Sequence, residues 1–293
     1  MLIPVLHKRN FITPFFLLSI FLVSSCSKKD ASLSDPYDPS QAKVLKNESY
    51  GSNALQKADV YLPANRGSST KTMVLIHGGF WTSGDKSDLD TLIDEIQLAD
   101  PALAIINMNY RLADGNASNY YPAQLNDVSL LLDYLQSKQS LWHTGPDYAL
   151  TGISSGGHIA LQYAYAFDPA KRVKVVASIL GPTNLADKYY TMNPIFQDLT
   201  LNVFGKSWQQ DSSIYINASP INKVTSAAPP TFMAYGGSDI LIPVSNPDSL
   251  DKKLQQLNIP HEYNLYPTEG HDLSRNAILD IISKMALFFK AHL

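Results

Sequence analysis

Short apolar runs alternate with longer amphipathic stretches along most of the chain. Met73–His77 (MVLIH), Leu103–Asn109, Tyr148–Ile153, Val175–Leu180 and Thr231–Tyr235 show almost no polar alternation, which suits strands covered on both faces. Ala58–Leu62 (ADVYL) and His261–Tyr266 (HEYNLY) alternate instead and read as strands near the two edges of a sheet. Helical spacing is expected over Ser87–Ala99, Pro122–Ser137, Gly156–Phe167, Asp248–Gln256 and Ser274–Ala291; in the last, Ile278, Ile281, Ile282, Met285, Phe288 and Phe289 fall on one face. Pro122 and Asp248 stand where helix starts favour a proline and an acid. This rhythm predicts an α/β domain over residues 48–293, with a mostly parallel central sheet flanked by helices. Residues 182–226 interrupt it. That stretch is irregular, carries Tyr189, Tyr190, Phe196, Phe204, Trp208 and Tyr215, and reads as an insertion over the strand ends.

The first 25 residues have a different pattern. Lys8 and Arg9 precede an apolar run from Phe11 to Val23, and the small Ser24 and Ser25 follow. A basic start, a short apolar stretch and a small-residue end describe a secretory signal over residues 1–25, too short to span a bilayer comfortably. The chain's one cysteine stands at the expected cleavage point. Val23-Ser24-Ser25-Cys26 resembles the lipobox of bacterial lipoproteins, which implies that Cys26 is lipidated and tethers the protein to a bacterial membrane in the cell envelope, facing the periplasm or the surface. Residues 26–47 are polar, include two Asp-Pro pairs, and read as a flexible tether.

Composition narrows the partners. Apolar types make up 45% and charged types 17%, an ordinary globular balance that excludes wholesale disorder. The net charge of −3 with no long basic run argues against nucleic acid held by phosphate neutralisation. A single cysteine excludes a disulfide framework and Cys-rich zinc or iron–sulfur sites.

Gly152-Ile153-Ser154-Ser155-Gly156 is a G-x-S-x-G pentapeptide between an expected strand and an expected helix. A serine on such a turn has strained backbone angles, and the flanking glycines let it pack against its neighbours, so that Ser154 Oγ projects at the positive end of the helix. A glycine-rich turn with solvated hydroxyls is the competing reading of the pentapeptide alone. A serine hydroxyl needs a base. His158 lies four residues along the same helix and reads as packing, His261 begins an edge strand, His292 is terminal, and His143 sits in a loop. His271, in Glu269-Gly270-His271-Asp272 after the last strand, is the candidate base; an exposed loop histidine is the alternative. Asp239 follows a strand through Gly236-Gly237-Ser238 and is the candidate carboxylate that fixes the imidazole tautomer. Asp248 and Asp251 fall where helix capping explains them, and Asp272 adjoins the histidine it would have to reach. The chain order Ser154, Asp239, His271 is the one this architecture uses. His77-Gly78-Gly79-Phe80-Trp81 follows a strand, and its glycines leave backbone N–H groups free to face a developing oxyanion. The donors would be Phe80 or Gly79 together with Ser155, with His77 bracing the loop. No phosphate-loop signature is present.

These pieces, with Asp59-Val60-Tyr61-Leu62-Pro63, Asn109-Tyr110-Arg111-Leu112, Tyr121-Pro122-Ala123-Gln124, Asp127 and Gly237-Ser238-Asp239, resemble α/β-hydrolases of the esterase/lipase group: hormone-sensitive-lipase-like esterases, feruloyl-esterase-like hydrolases and kynurenine formamidases. The resemblance runs from about Tyr50 to the end. It implies that Ser154 is the nucleophile, His271 the base and Asp239 the orienting acid, with Arg111 and Asp127 structural. Phe80 departs from it where lipase-like members often carry a third glycine. The expectation is a serine hydrolase that cleaves small-molecule carboxylic esters, small or carbohydrate-linked, through an acyl-enzyme, without a metal or organic cofactor. An amidase or formamidase uses the same triad, and a catalytically silent surface binding protein is the alternative of another class.

Overall fold

The computed structural model describes residues 35–293. The expected signal, Cys26 and the first part of the tether lie outside the described residues. Eight strands form one sheet in the order β1-β2-β4-β3-β5-β6-β7-β8. They are β1 (Lys43–Ser49), β2 (Lys57–Leu62), β3 (Thr72–Ile76), β4 (Ala104–Met108), β5 (Tyr148–Ile153), β6 (Val173–Ile179), β7 (Thr231–Gly236) and β8 (His261–Tyr266). β1–β2 and β2–β4 pair antiparallel and all other neighbours pair parallel.

Continuous apolar strands are required because both sheet faces are covered. In β3, Met73 and Leu75 join the core beneath α1 (Asp90–Ala99) and α8 (Arg275–His292), while Val74 and Ile76 join the core beneath α2 (Ala123–Trp142), α3 (Ser155–Ala166) and α7 (Ser245–Gln256). Successive side chains point to opposite faces, so a strand between two helical layers has few positions for a polar residue, and one that is there, such as Asn107 in β4, is buried and hydrogen-bonded.

Three sequence expectations change. Ala58–Leu62 was expected near an edge, but β2 lies one strand in. Its alternation arises because Asp59 turns away from the core and is bound by the Asn47 N–H at 2.8 Å and by the Lys46 and Lys86 ammonium groups at 3.0 Å. The true edge is β1, which occupies the last residues of the stretch read as tether; its half-exposed, Lys- and Glu-bearing sequence carries no apolar signal. Ordered chain extends further back, since the Arg66 guanidinium donates to the carbonyls of Tyr37 (2.7 Å) and Gln41. The stretch read as an irregular insertion is largely helical: α4 (Lys188–Thr191), α5 (Pro194–Phe204) and α6 (Ser212–Asn217). Each is capped at its N-terminus by a side chain, Asp187, Asn193 or Asp211. Helices this short show little periodicity.

Candidate active site

Ser154 stands between the end of β5 and the first residue of α3, at φ 54° and ψ −122°, outside the ordinary regions for an L-residue. The turn is held in place by the Ser154 N–H, which donates to Ile179 O of the next strand at 2.8 Å. It is tight enough to demand both glycines: a Cβ on Gly152 would sit 2.0 Å from Gly156 O, and one on Gly156 would sit 2.1 Å from Ile76 O. Backbone cannot yield as a side chain can, so Gly156→Ala should lower stability by about 3 kcal/mol or prevent folding, measurable as a fall in the urea midpoint.

The three side chains singled out in the sequence meet. His271 Nε2 lies 3.0 Å from Ser154 Oγ and His271 Nδ1 lies 2.8 Å from Asp239 Oδ2. The other carboxylate oxygen, Oδ1, accepts the N–H groups of Leu241 (2.7 Å) and Ile242 (3.0 Å), which fixes the plane of the carboxylate. The loops after β7 and β8 touch: a Cβ on Gly236 would meet Gly270 O at 2.4 Å, and the Ser238 N–H donates to Glu269 O at 2.9 Å. That contact delivers Asp239 to His271. The competing acids are engaged elsewhere, Asp248 accepting from Tyr263 OH at 2.9 Å and Asp251 lying 3.1 Å from His261 Nε2.

Gly79, Phe80 and Trp81 all have positive φ (106°, 53° and 62°). The loop lies against the serine, since a Cβ on Gly78 would come within 3.2 Å of Ser154 Cβ. Phe80 therefore occupies a conformation that glycine adopts without strain, which is the physical content of the missing third glycine. Among the described residues, the N–H groups of Phe80 and Ser155 have no hydrogen-bond acceptor.

His77 is a brace, its Nδ1 2.7 Å from Gly78 O and its ring stacked on Tyr110 at 4.3 Å; burial lowers its pKa. His158 does more than fill space. It accepts from Trp81 Nε1 at 3.2 Å and contacts Ala218 O through Nε2 at 2.7 Å, joining the oxyanion loop to the residues after α6. Nothing in the sequence pattern pointed to that link. Burial pushes the His158 pKa down to about 4 from 6.5. The unfolded chain therefore binds a proton that the folded one excludes, so stability is complete above pH 6.5 and falls as pH drops towards 4, by about 3 kcal/mol at the limit. Urea midpoints should fall between pH 7 and pH 4.5, less steeply in His158→Gln. An equal slope in that variant would show that another group drives the loss.

The serine opens into an apolar pocket walled by Phe80, Trp81, Leu185, Tyr190, Phe196 and Leu199, with His271 at its edge. Only about 20 Å³ of it is open to the centre of a water molecule, room for one or two waters. The aromatic-rich insertion supplies much of this wall. Arg111 pairs with the fully buried Asp127, with Nη2 2.6 Å from Oδ1.

A mostly parallel sheet that presents a strained serine at its carboxyl edge, within hydrogen-bond reach of an imidazole and a carboxylate, defines an α/β-hydrolase. The chain belongs to the BD-FAE family, whose model matches residues 58–254. It is 27% identical over 196 residues to the probable carboxylic ester hydrolase LipM of Mycobacterium tuberculosis, an alignment covering 62% of this chain and 44% of that protein. It is 23% identical over 248 residues to the isoprenylcysteine alpha-carbonyl methylesterase ICME of Arabidopsis thaliana (78% and 56%). The chain thus spans about half the length of these curated relatives. Among solved structures, a truncated form of a carbohydrate esterase from gut microbiota superposes with a TM-score of 0.72 at 18% identity, covering 88% of this chain and 98% of that truncated one.

Proposed function

We propose that this protein is a serine esterase that hydrolyses short-chain acyl esters, carbohydrate-linked ones included, through an acyl-enzyme. The observation that carries the reading is the unbroken relay Asp239–His271–Ser154, with both links at hydrogen-bond distance. His271 Nε2 takes the Ser154 proton as Oγ attacks the ester carbonyl, and the N–H groups of Phe80 and Ser155 receive the oxyanion. The carbonyl–oxygen bond to the alcohol then breaks and Nε2–H returns its proton to the departing oxygen. Water deprotonated by His271 attacks the acyl-enzyme, releasing the acid and restoring Ser154.

The size of the pocket supports a small acyl group. Acetyl and propionyl esters of p-nitrophenol should be hydrolysed with kcat/KM at least about tenfold above the octanoyl ester, and Phe196→Ala should shift the preference towards longer chains. Equal rates on acetyl and octanoyl esters would remove this pocket as the acyl site; no turnover of any ester would remove the function. Lipidation of Cys26 and anchoring in the cell envelope belong to the same proposal and rest on the sequence; mass analysis of the mature N-terminus tests them, an unmodified thiol counting against the anchor.

A further inference from the structure

The helix that begins at the nucleophile also carries a buried histidine that the acyl-enzyme steps do not use. His158 lies one turn along α3 from Ser154, and its N–H donates to Ser154 O at 3.2 Å. Residues four apart share a face of a helix, and from that face His158 reaches the oxyanion loop. Its Nδ1 accepts the Trp81 Nε1–H at 3.2 Å, and the two rings meet edge-on, with centroids 5.1 Å apart and planes at 89°. Both residues are buried.

The protons of this contact are fixed by its partners. An indole N–H only donates, so Nδ1 must be the bare nitrogen. Nε2 then carries the proton, and it has an acceptor in Ala218 O at 2.7 Å. Burial pushes the His158 pKa down to about 4, so at neutral pH the ring has one donor and one acceptor, each with its own partner. A histidine that only filled space would need neither bond.

The place of the contact gives it a role. In the proposed reaction the Phe80 N–H receives the oxyanion, and Phe80 stands between Gly79 and Trp81. On the Gly79 side the bonds are internal to the loop: Gly79 O accepts the Thr82 N–H at 3.1 Å and the Ser83 N–H at 2.9 Å. They shape the loop without tying it to the serine. On the Trp81 side the bonds run to other segments, from the Ala113 N–H to Trp81 O at 2.8 Å and from the indole to His158. The second of these ends on the nucleophile's own helix. We infer that His158 is a positioning residue for the esterase reaction, acting through Trp81 to hold the Phe80 N–H in register with Ser154 Oγ. The inference rests on the esterase reading. An oxyanion donor is worth roughly 10²- to 10³-fold in kcat, and it acts on the transition state, so a misplaced donor lowers kcat and leaves KM almost unchanged.

The test measures kcat and KM on p-nitrophenyl acetate, with kcat expressed per active site titrated by a fluorophosphonate, so that loss of folded protein does not enter. Trp81→Phe keeps an aromatic ring and deletes the N–H. It should lower kcat at least about tenfold while KM changes less than about threefold. At position 158 the two amide side chains differ in reach. The oxygen of asparagine falls near the place of Nδ1 and can accept from Trp81, whereas the amide of glutamine falls near the place of Nε2 and serves Ala218 O. His158→Asn should therefore keep kcat within about threefold of wild type, and His158→Gln should lose at least about tenfold. A role in packing alone predicts the reverse order, because glutamine is closer to histidine in volume. In a Trp81→Phe background the two substitutions at 158 should give equal kcat, since the partner that distinguishes them is gone. Unchanged kcat in Trp81→Phe, or equal kcat in His158→Asn and His158→Gln with Trp81 present, overturns the positioning role and leaves the esterase standing. Failure of the wild-type protein to hydrolyse p-nitrophenyl acetate overturns the esterase reading instead.

Discussion

Ser154→Ala should lower kcat by roughly 10⁴- to 10⁶-fold and abolish covalent labelling by a fluorophosphonate probe, while the protein unfolds at essentially the wild-type temperature. The side chain's hydrogen bond is to His271 Nε2, and the turn around it is held by main-chain contacts: the Ser154 N–H on Ile179 O and the close packing of Gly152 and Gly156. Removing the hydroxyl therefore deletes the nucleophile and little else. Ser154→Gly separates the two consequences of the elbow further. A side chain held at φ 54° stores roughly 1–3 kcal/mol of strain, which glycine releases; the extra freedom of glycine in the unfolded chain offsets roughly 0.5–1 kcal/mol of that gain. The glycine variant should be as inactive as the alanine variant yet more stable, by about 1 kcal/mol in urea denaturation. Activity and stability moving in opposite directions at one position is the signature of strain held for function. Persistent probe labelling of Ser154→Ala would place the nucleophile elsewhere.

Asp239→Asn should cost about 10⁴-fold in kcat with a much smaller change in KM, and the local structure explains why the amide cannot substitute. Oδ1 of Asp239 already accepts two backbone N–H groups, from Leu241 and Ile242. An asparagine must leave its oxygen on those donors, so its NH₂ faces His271 Nδ1, where Oδ2 lies at 2.8 Å in the wild-type protein. Nδ1 then has to accept, the ring proton moves to Nε2, and Nε2 presents a hydrogen to Ser154 Oγ when it should take one. Substrate still binds, but the hydroxyl is not deprotonated. Activity above a tenth of wild type would show that Asp239 is not the carboxylate that sets the tautomer.

Both predictions use residues that can be read from the sequence, because local sequence carries their signals. The elbow demands small residues on either side of the serine, and that demand is written in two glycines within five positions even though one of the atoms Gly156 must clear, Ile76 O, belongs to β3. The oxyanion loop is written the same way, in two glycines after a buried strand. β3, β4, β5, β6 and β7 were legible because each is covered on both faces and so cannot carry a polar alternation. Legibility failed where a segment's environment is supplied from far away. β1 is half exposed and its place at the edge comes from pairing with β2. β2 alternates because Lys86, 27 positions away, reaches Asp59. The short helices over the site are fixed by their caps and by packing.

The order of the central strands β3 to β7 and the candidate reacting groups followed from the sequence alone, since burial on two faces and the strain of a tight turn each restrict which residues a short stretch can hold. Tertiary structure decided the rest: that Ser154 Oγ and His271 Nε2, 117 positions apart, stand 3.0 Å from each other, and that Asp239 reaches the far side of the same imidazole. Distances of that kind depend on how loops at the sheet's carboxyl edge pack together, and packing between remote segments leaves no periodic trace in either one.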